Sequence, residues 1–313
     1  MSAAWDRFEQ GNRNLTPPLE TYGQLTLAIN GLRRDAEGWI AERGPAEAAR
    51  RRLAVATYAL NMLQNVDASS LWQESQAAST LLELACATLR KSPPTEGERA
   101  WHQAALAMLE ASAPAASIRR HLQHAEARFP DEGRWAIVRL VAEESSVQGN
   151  VQADGRITIP AGQAAKLAAA YQSASEHQGV RAEAQVRWGR HELELGRLDE
   201  ALRHFDLAGD PEDSVVRYWL HLFRGQALER LGRRADAIAA YRLAVRDAPS
   251  AQSAGLALAA ALATDHQTAA AAAQVSQSLA DGAAPPDPWL YYRTPDTRFL
   301  DALMSGLMGA IVR

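Results

Sequence analysis

Cysteine, lysine and long apolar runs are nearly missing from this chain of 313 residues, and each scarcity removes a class of protein. The one cysteine, Cys86, cannot close an internal disulfide, so no disulfide scaffold is expected and nothing is said of redox compartment. Within LLELACATLR it reads as a small core residue, with no neighbour in sequence to lower its pKa. No apolar run reaches the ~18 residues that a bilayer-spanning helix needs, so membrane insertion is not expected. The opening MSAAWDRFEQ has neither a basic nor an apolar leader region. As written the chain reads as cytoplasmic, with a periplasmic location as the alternative for a mature chain. Net charge −4 and pI ≈ 6.1 supply no basic field for a phosphate backbone, which argues against nucleic acid as a partner. Lysine occurs only at Lys91 and Lys166, so arginine carries nearly all the positive charge; with the abundance of alanine, this usage suggests a GC-rich bacterial gene. The short run Arg50, Arg51 and Arg52 reads as the solvated face of a helix.

The signatures of chemistry are scarce too. The chain has no phosphate loop, no GxGxxG and no GxSxG elbow. HELEL at His191 lacks the second histidine that a zinc-protease helix requires. Glu143 with Glu144, and Glu192 with Glu194, read as residues of polar helix faces whose side chains diverge. His121 and His124, at i and i+3 on one expected helix near Glu126, could offer two metal ligands, but a third at a diagnostic spacing is missing. No metal or cofactor is therefore expected.

What the chain does have is a repeat. WGRHELELGRLDEALRHFDLA and FRGQALERLGRRADAIAAYRLA pair Gly189 with Gly225, Gly196 with Gly232, Ala201 with Ala237, Phe205 with Tyr241 and Ala208 with Ala244, always 36 residues apart. Apolar residues return every three or four positions from Glu183 to Leu195 and again from Leu198 to Leu207, which predicts two packed helices. Gly196 suits a left-handed helix end, and Gly189, Ala201 and Ala208 suit a close approach that Phe205 fills.

This pattern resembles the tetratricopeptide repeat. The copy from Tyr218 runs through to the expected proline at Pro249, while the copy from Ala182 has Asp213 there. RAWHQAALAMLEASAPAASIRRHLQHAEARFPDE reads as a worn copy, with Ile118, Leu122, Ala125 and Pro130 on the places of Ala237, Tyr241, Ala244 and Pro249. An alanine-rich pair from Ala251 to Ala280 turns at Asp265 and His266. Helical periodicity also covers Leu19 to Ile40, Ala46 to Asn65 and Leu71 to Arg90, the first with Tyr22, Leu25, Ile29, Leu32, Ala36 and Trp39 on one stripe. The expected fold is all-α, a right-handed α-α superhelix with one long loop near 146–162, where Asp154-Gly155 signals a small β-hairpin. Three regions are expected: degenerate repeats over 1–132, the repeat region over 133–281 with its clearest copies at 182–217 and 218–251, and a proline- and aromatic-rich connector with a capping helix over 282–313. The cap is expected to lie on the alanine-rich pair, pinned by Trp289, Tyr291 and Tyr292. RAWHQAALAMLE, HLQHAEARFPDE, FRGQALERLGR and DPWLYY are similar to stretches of a group of bacterial tetratricopeptide proteins, a resemblance that implies this architecture and supplies no activity.

The tetratricopeptide resemblance also implies a groove lined by the first helix of each repeat. It places Glu183, Val186, Arg190 and Glu194 of one copy there, and Trp219, Leu222, Gln226 and Arg230 of the next. Such a strip suits a peptide or helix of another protein. Trp219 has a competing reading, as packing between adjacent first helices. A carboxylate clamp of the kind that uses Lys and Asn is not implied, since Val186 and Leu222 hold the Lys place and Arg190 and Gln226 the Asn place. The expected function is a non-catalytic interaction scaffold; the alternatives are a metal-dependent enzyme around His121 and His124, and a structural subunit that assembles with copies of itself.

Overall fold

The computed structural model describes residues 40, 44–64, 76–113, 115–147, 150–151, 157–279 and 285–312. The stripe from Tyr22 to Trp39 and the Asp154-Gly155 turn lie outside these residues. The fold is all-α, a solenoid of tetratricopeptide-like helix pairs, and it divides into two compact units: residues 1–132 with 294–313, and residues 133–293.

In the first unit α1 (Pro45–Gln64) packs on α2 (Gln76–Leu89), and α3 (Glu96–Ser112) on α4 (Ala115–Arg128). Thr95 starts α3 by accepting a hydrogen bond from the Glu98 backbone N–H at 3.1 Å. Of the three consecutive arginines Arg50 is exposed and Arg52 half-buried. Arg51 is buried beside Glu47, and Arg52 donates to the Lys91 carbonyl at 2.9 Å.

The second unit begins with α5 (Arg134–Ser146), then β1 (Asn150–Val151) and β2 (Ile157–Thr158), which pair antiparallel with Val151 opposite Ile157. After α6 (Ala161–Glu176) come three helix pairs: α7 (Arg181–Glu194) with α8 (Leu198–Ala208), α9 (Ser214–Arg230) with α10 (Arg234–Asp247), and α11 (Gln252–Thr264) with α12 (Thr268–Leu279). A Cβ built on Gly189 would stand 2.4 Å from Phe205 and 3.0 Å from the Ala201 carbonyl. On Gly225 it would stand 2.4 Å from Tyr241. That is why two glycines and two aromatics keep their spacing: each ring lies where a side chain on the facing helix would be. Gly196 and Gly232 end the first helices at φ 78 and 74, and the backbone N–H one residue on reaches back to the carbonyls of Glu192 and Leu228 at 2.9 Å. The third pair makes the same turn on His266, with φ 61 and a Gln267 N–H bond to Leu262 at 2.9 Å, although it has a Cβ.

The segment 285–312 does not form the expected lid. Residues Pro288–Tyr292 make a 3-10 turn against α9, while α13 (Leu300–Val312) packs on α3 and α1 with Met304 and Leu307 buried. A surface of alanine methyls gives large side chains little to bury against, so the apolar gain lies elsewhere. Leu256, Val275 and Leu279 of the alanine-rich pair stay exposed.

Two substitutions test this description by chemical denaturation. Gly189→Ala forces a methyl group into Phe205 and is expected to destabilise by ~1–3 kcal/mol. His266→Gly relieves a left-handed non-glycine residue and is expected to stabilise by about 0.5–1 kcal/mol, the strain relieved less the entropy that glycine adds to the unfolded chain.

Candidate functional site

The face shared by α7 and α9, where the groove was expected, is filled by the chain itself. The Asp287 carboxylate accepts hydrogen bonds from the Tyr218 hydroxyl at 3.0 Å, the Ser253 backbone N–H at 2.8 Å and the Trp289 backbone N–H at 2.9 Å, and so opens the 3-10 turn. The Trp219 indole donates to the Pro288 carbonyl at 2.9 Å. Trp289 and Tyr292 stack at 5.1 Å, and Phe223 meets both edge to face. The sequence DPWLYY explains the shape: proline opens the turn, and the i, i+3 spacing of Trp289 and Tyr292 puts both rings on one side of a three-residue turn.

Beneath the rings lies Arg187, fully buried. Its guanidinium pairs with Glu144 at 2.9 Å and Glu183 at 3.2 Å, donates to the Tyr292 carbonyl at 2.8 Å, and faces the rings of Trp219 and Tyr292 at 5.4 and 4.6 Å. Burial opposes its charge, but Glu144 and Glu183 outweigh burial and hold its pKa above the ordinary arginine value. Glu183 is also clamped by Arg134. The second oxygen of Glu144 accepts from the Tyr171 hydroxyl at 2.9 Å. Burial, only partly offset by Arg187 and Tyr171, keeps the Glu144 carboxyl above the usual carboxylate range. Glu144 is thus a half-buried counter-ion turned toward Arg187 and not a residue of a solvated polar face; Glu192 is buried beside Arg197.

The eight residues expected to line the groove separate into two sets. Glu183, Val186, Trp219 and Leu222 are buried core residues, Glu183 by its ion pairs and Trp219 beneath the connector. Arg190, Glu194, Gln226 and Arg230 keep contact with solvent. Arg230 is spent on the Leu193 carbonyl near the end of α7. Arg190 pairs with Glu194 at 2.7 Å and lies over Phe223 and Trp289 at 5.2 and 5.4 Å. Arg190 and Glu194 line an open cleft of about 440 Å³ beside the connector, with Val141, Leu167, Tyr171, His191, Trp289 and Tyr292 among its other walls. Sequence reasoning missed Arg187, read Glu144 as part of a polar face and His191 only as a failed zinc motif, and named Tyr292 as a pin for the connector without its partner Arg187. The one available signal was the i, i+4 spacing of Glu183 and Arg187, which helix geometry turns into an ion pair.

In the first unit His121 and His124 diverge. His124 turns to Glu83 at 3.0 Å and Arg90 at 3.0 Å, while His121 points inward to Cys86 and His102.

No family model matches the chain, and no curated protein matches it in sequence. Among solved structures it is similar to yeast Tom70, with a TM-score of 0.51 and 12% identity over 96% of this chain and 58% of that one. This chain thus spans little more than half the length of its structural neighbour. At that identity the likeness is one of fold alone. Among the described residues no helix is long and apolar enough to cross a membrane.

Arg187→Ala removes the match for one buried and one half-buried carboxylate and is expected to cost ~3–5 kcal/mol. Asp287→Ala loses three hydrogen bonds to a charged acceptor and is expected to cost ~1.5–3 kcal/mol. Glu194→Ala, exposed at the cleft mouth, is expected to stay within about 0.5 kcal/mol. Urea melts of the three variants, followed by tryptophan fluorescence, check the order.

Proposed function

We propose that the chain is a non-catalytic adaptor that binds another protein, receiving a short segment of that partner in the cleft lined by Arg190, His191 and Glu194. The observation that carries this reading is the way the second unit holds its own residues 287–292. Two main-chain carbonyls of that stretch are taken by side chains of α7 and α9, and its two inward rings are taken by an aromatic and cationic wall. This is how a repeat protein holds a peptide, here satisfied in cis. The cleft continues the same wall, with apolar sides from Leu167 and Tyr171 and a polar mouth from Arg190, His191 and Glu194. An apolar side chain of a partner would lose water there, while its backbone would meet the polar mouth. The tetratricopeptide-like fold supports a protein partner in general terms.

Site-specific photocrosslinking tests the proposal. A photoreactive residue replacing Glu194 is compared with one replacing Leu207, which is exposed on α8 away from the cleft. The expected result is a discrete protein adduct from position 194 that disappears when Arg190→Glu is added in the same chain. No adduct, or the same adducts from both positions, would count against the cleft as the binding surface.

A further inference from the structure

The interior of the first unit holds a group of buried titratable side chains. Cys86 on α2, His102 on α3 and His121 on α4 meet in the interior, exposed by only 2%, 1% and 4%. One ligand atom from each lies within 4.8 Å of the others. His102 Nδ1 is 3.2 Å from His121 Nε2, and Cys86 Sγ is 3.8 Å from His121 Nδ1. Behind His102, the Glu98 carboxylate lies 3.8 Å from Nε2 and is itself held by Arg128 through bonds of 2.6 and 2.7 Å. Trp101 and Phe129 close the surroundings with apolar rings.

Three titratable groups brought together in a core demand a reason, because apolar residues of similar volume would pack there at lower desolvation cost. Burial, with a smaller push from Glu83, drives the Cys86 thiol up to about 12. Burial likewise drives His121 well below the ordinary imidazole range and lowers His102. A cation supplies a reason for the meeting, since one ligand atom from each residue lies within reach of a common point.

We propose that Cys86, His102 and His121 form a structural site for a d10 cation, Zn²⁺ or Cu⁺, with Glu98 orienting His102. One thiolate and two imidazoles make a soft-to-borderline donor set, suited to these ions and not to Ca²⁺ or Mg²⁺. Donors around a single zinc ion stand roughly 3.3–3.7 Å apart, given metal–ligand bonds of ~2.0–2.3 Å. The two histidine nitrogens, 3.2 Å apart, stand just short of that spacing. His121 turns a different nitrogen to each neighbour, so the ion requires a modest rotation of its ring and an inward shift of the sulfur. The Glu98 carboxylate behind a ligating histidine is the arrangement that fixes tautomer and ring orientation in metal sites. On binding, the Cys86 S–H bond breaks, its proton leaves to solvent and the sulfur lone pair forms the bond to the metal. Zn²⁺ would add a small fourth ligand, whereas Cu⁺ is satisfied with three. The closed interior gives no substrate access, so the ion would brace α2, α3 and α4 and perform no chemistry. It is therefore independent of the partner cleft in the second unit.

The full chain, stripped of metal by a chelator, is titrated with Zn²⁺ and, anaerobically under reducing conditions, with Cu⁺. Bound metal is read after dialysis and thermal melting is read in parallel. One equivalent of at least one ion is expected to bind and raise the melting temperature. Co²⁺ standing in for Zn²⁺ is expected to show thiolate-to-metal absorption in the near ultraviolet. Cys86→Ala should abolish binding while its metal-free melt reports on folding, and His102→Gln gives the same readout at a second position. Glu98→Gln is expected to weaken affinity about 10–100-fold. His124→Ala, whose side chain turns to Glu83, should bind as the parent does. The proposal is overturned if neither ion binds at one equivalent, or if folded Cys86→Ala binds as tightly as the parent; the three side chains are then only a hydrogen-bonded relay from Cys86 through His121 and His102 toward Glu98.

Discussion

A guanidinium cannot be taken out of water unless its charge is matched, and Arg187 is taken out of water completely. Everything around it follows from that demand. Glu144 must come from α5 and Glu183 from the preceding turn of α7, so the helix ahead of the repeats is held to the first repeat by a charge pair as well as by packing. The guanidinium has donors left over, and one goes to the Tyr292 carbonyl, which ties the connector to the same center. Tyr171 and Arg134 then complete the two carboxylates. The connector is thus part of the charge-balanced interior of the second unit.

That dependence changes what the inner face of the repeats does. Of the buried residues on that face, Trp219 carries the connector and Glu183 anchors Arg187, which holds the connector in turn. Trp219 is both core residue and contact residue: its indole N–H recognises a peptide carbonyl, but the peptide belongs to the same chain. The cleft left beside the connector is smaller than a full groove and mixed in character. Its Arg190–Glu194 pair is neutral overall, so long-range electrostatic attraction would contribute little and selection would depend on shape and desolvated contact.

The first unit follows another logic. Its interior joins Cys86, His121 and His102 by hydrogen bonds beside the Glu98–Arg128 ion pair, where the second unit centres on Arg187 and its carboxylates. Both arrangements commit polar atoms to fixed partners, and such commitments define one packing among the many that leucine and alanine would tolerate.

By itself the sequence determined the helix pairs, because their signals are local: a 3.6-residue apolar period, glycine where φ must be positive, and small residues paired with rings at a fixed offset of 36. Those signals survive in Gly189 against Phe205 and Gly225 against Tyr241, and even the third turn was legible at Asp265 and His266, without its strain. The site was legible only in part. The tetratricopeptide resemblance put Arg190 and Glu194 on the inner face of the repeats, and both line the cleft. Trp219 had packing as one of its two readings, but its cover, residues 287–292, lies far along the chain, and the burial of Glu183 depends on Arg134 and Arg187 closing around it. The same holds for Arg187 with Tyr292, 105 residues apart, and for Cys86 with His121, 35 apart. Periodicity states which side of a helix faces inward. Only the tertiary structure decides what meets it there, since burial and charge pairing between distant segments depend on the packing of the whole unit.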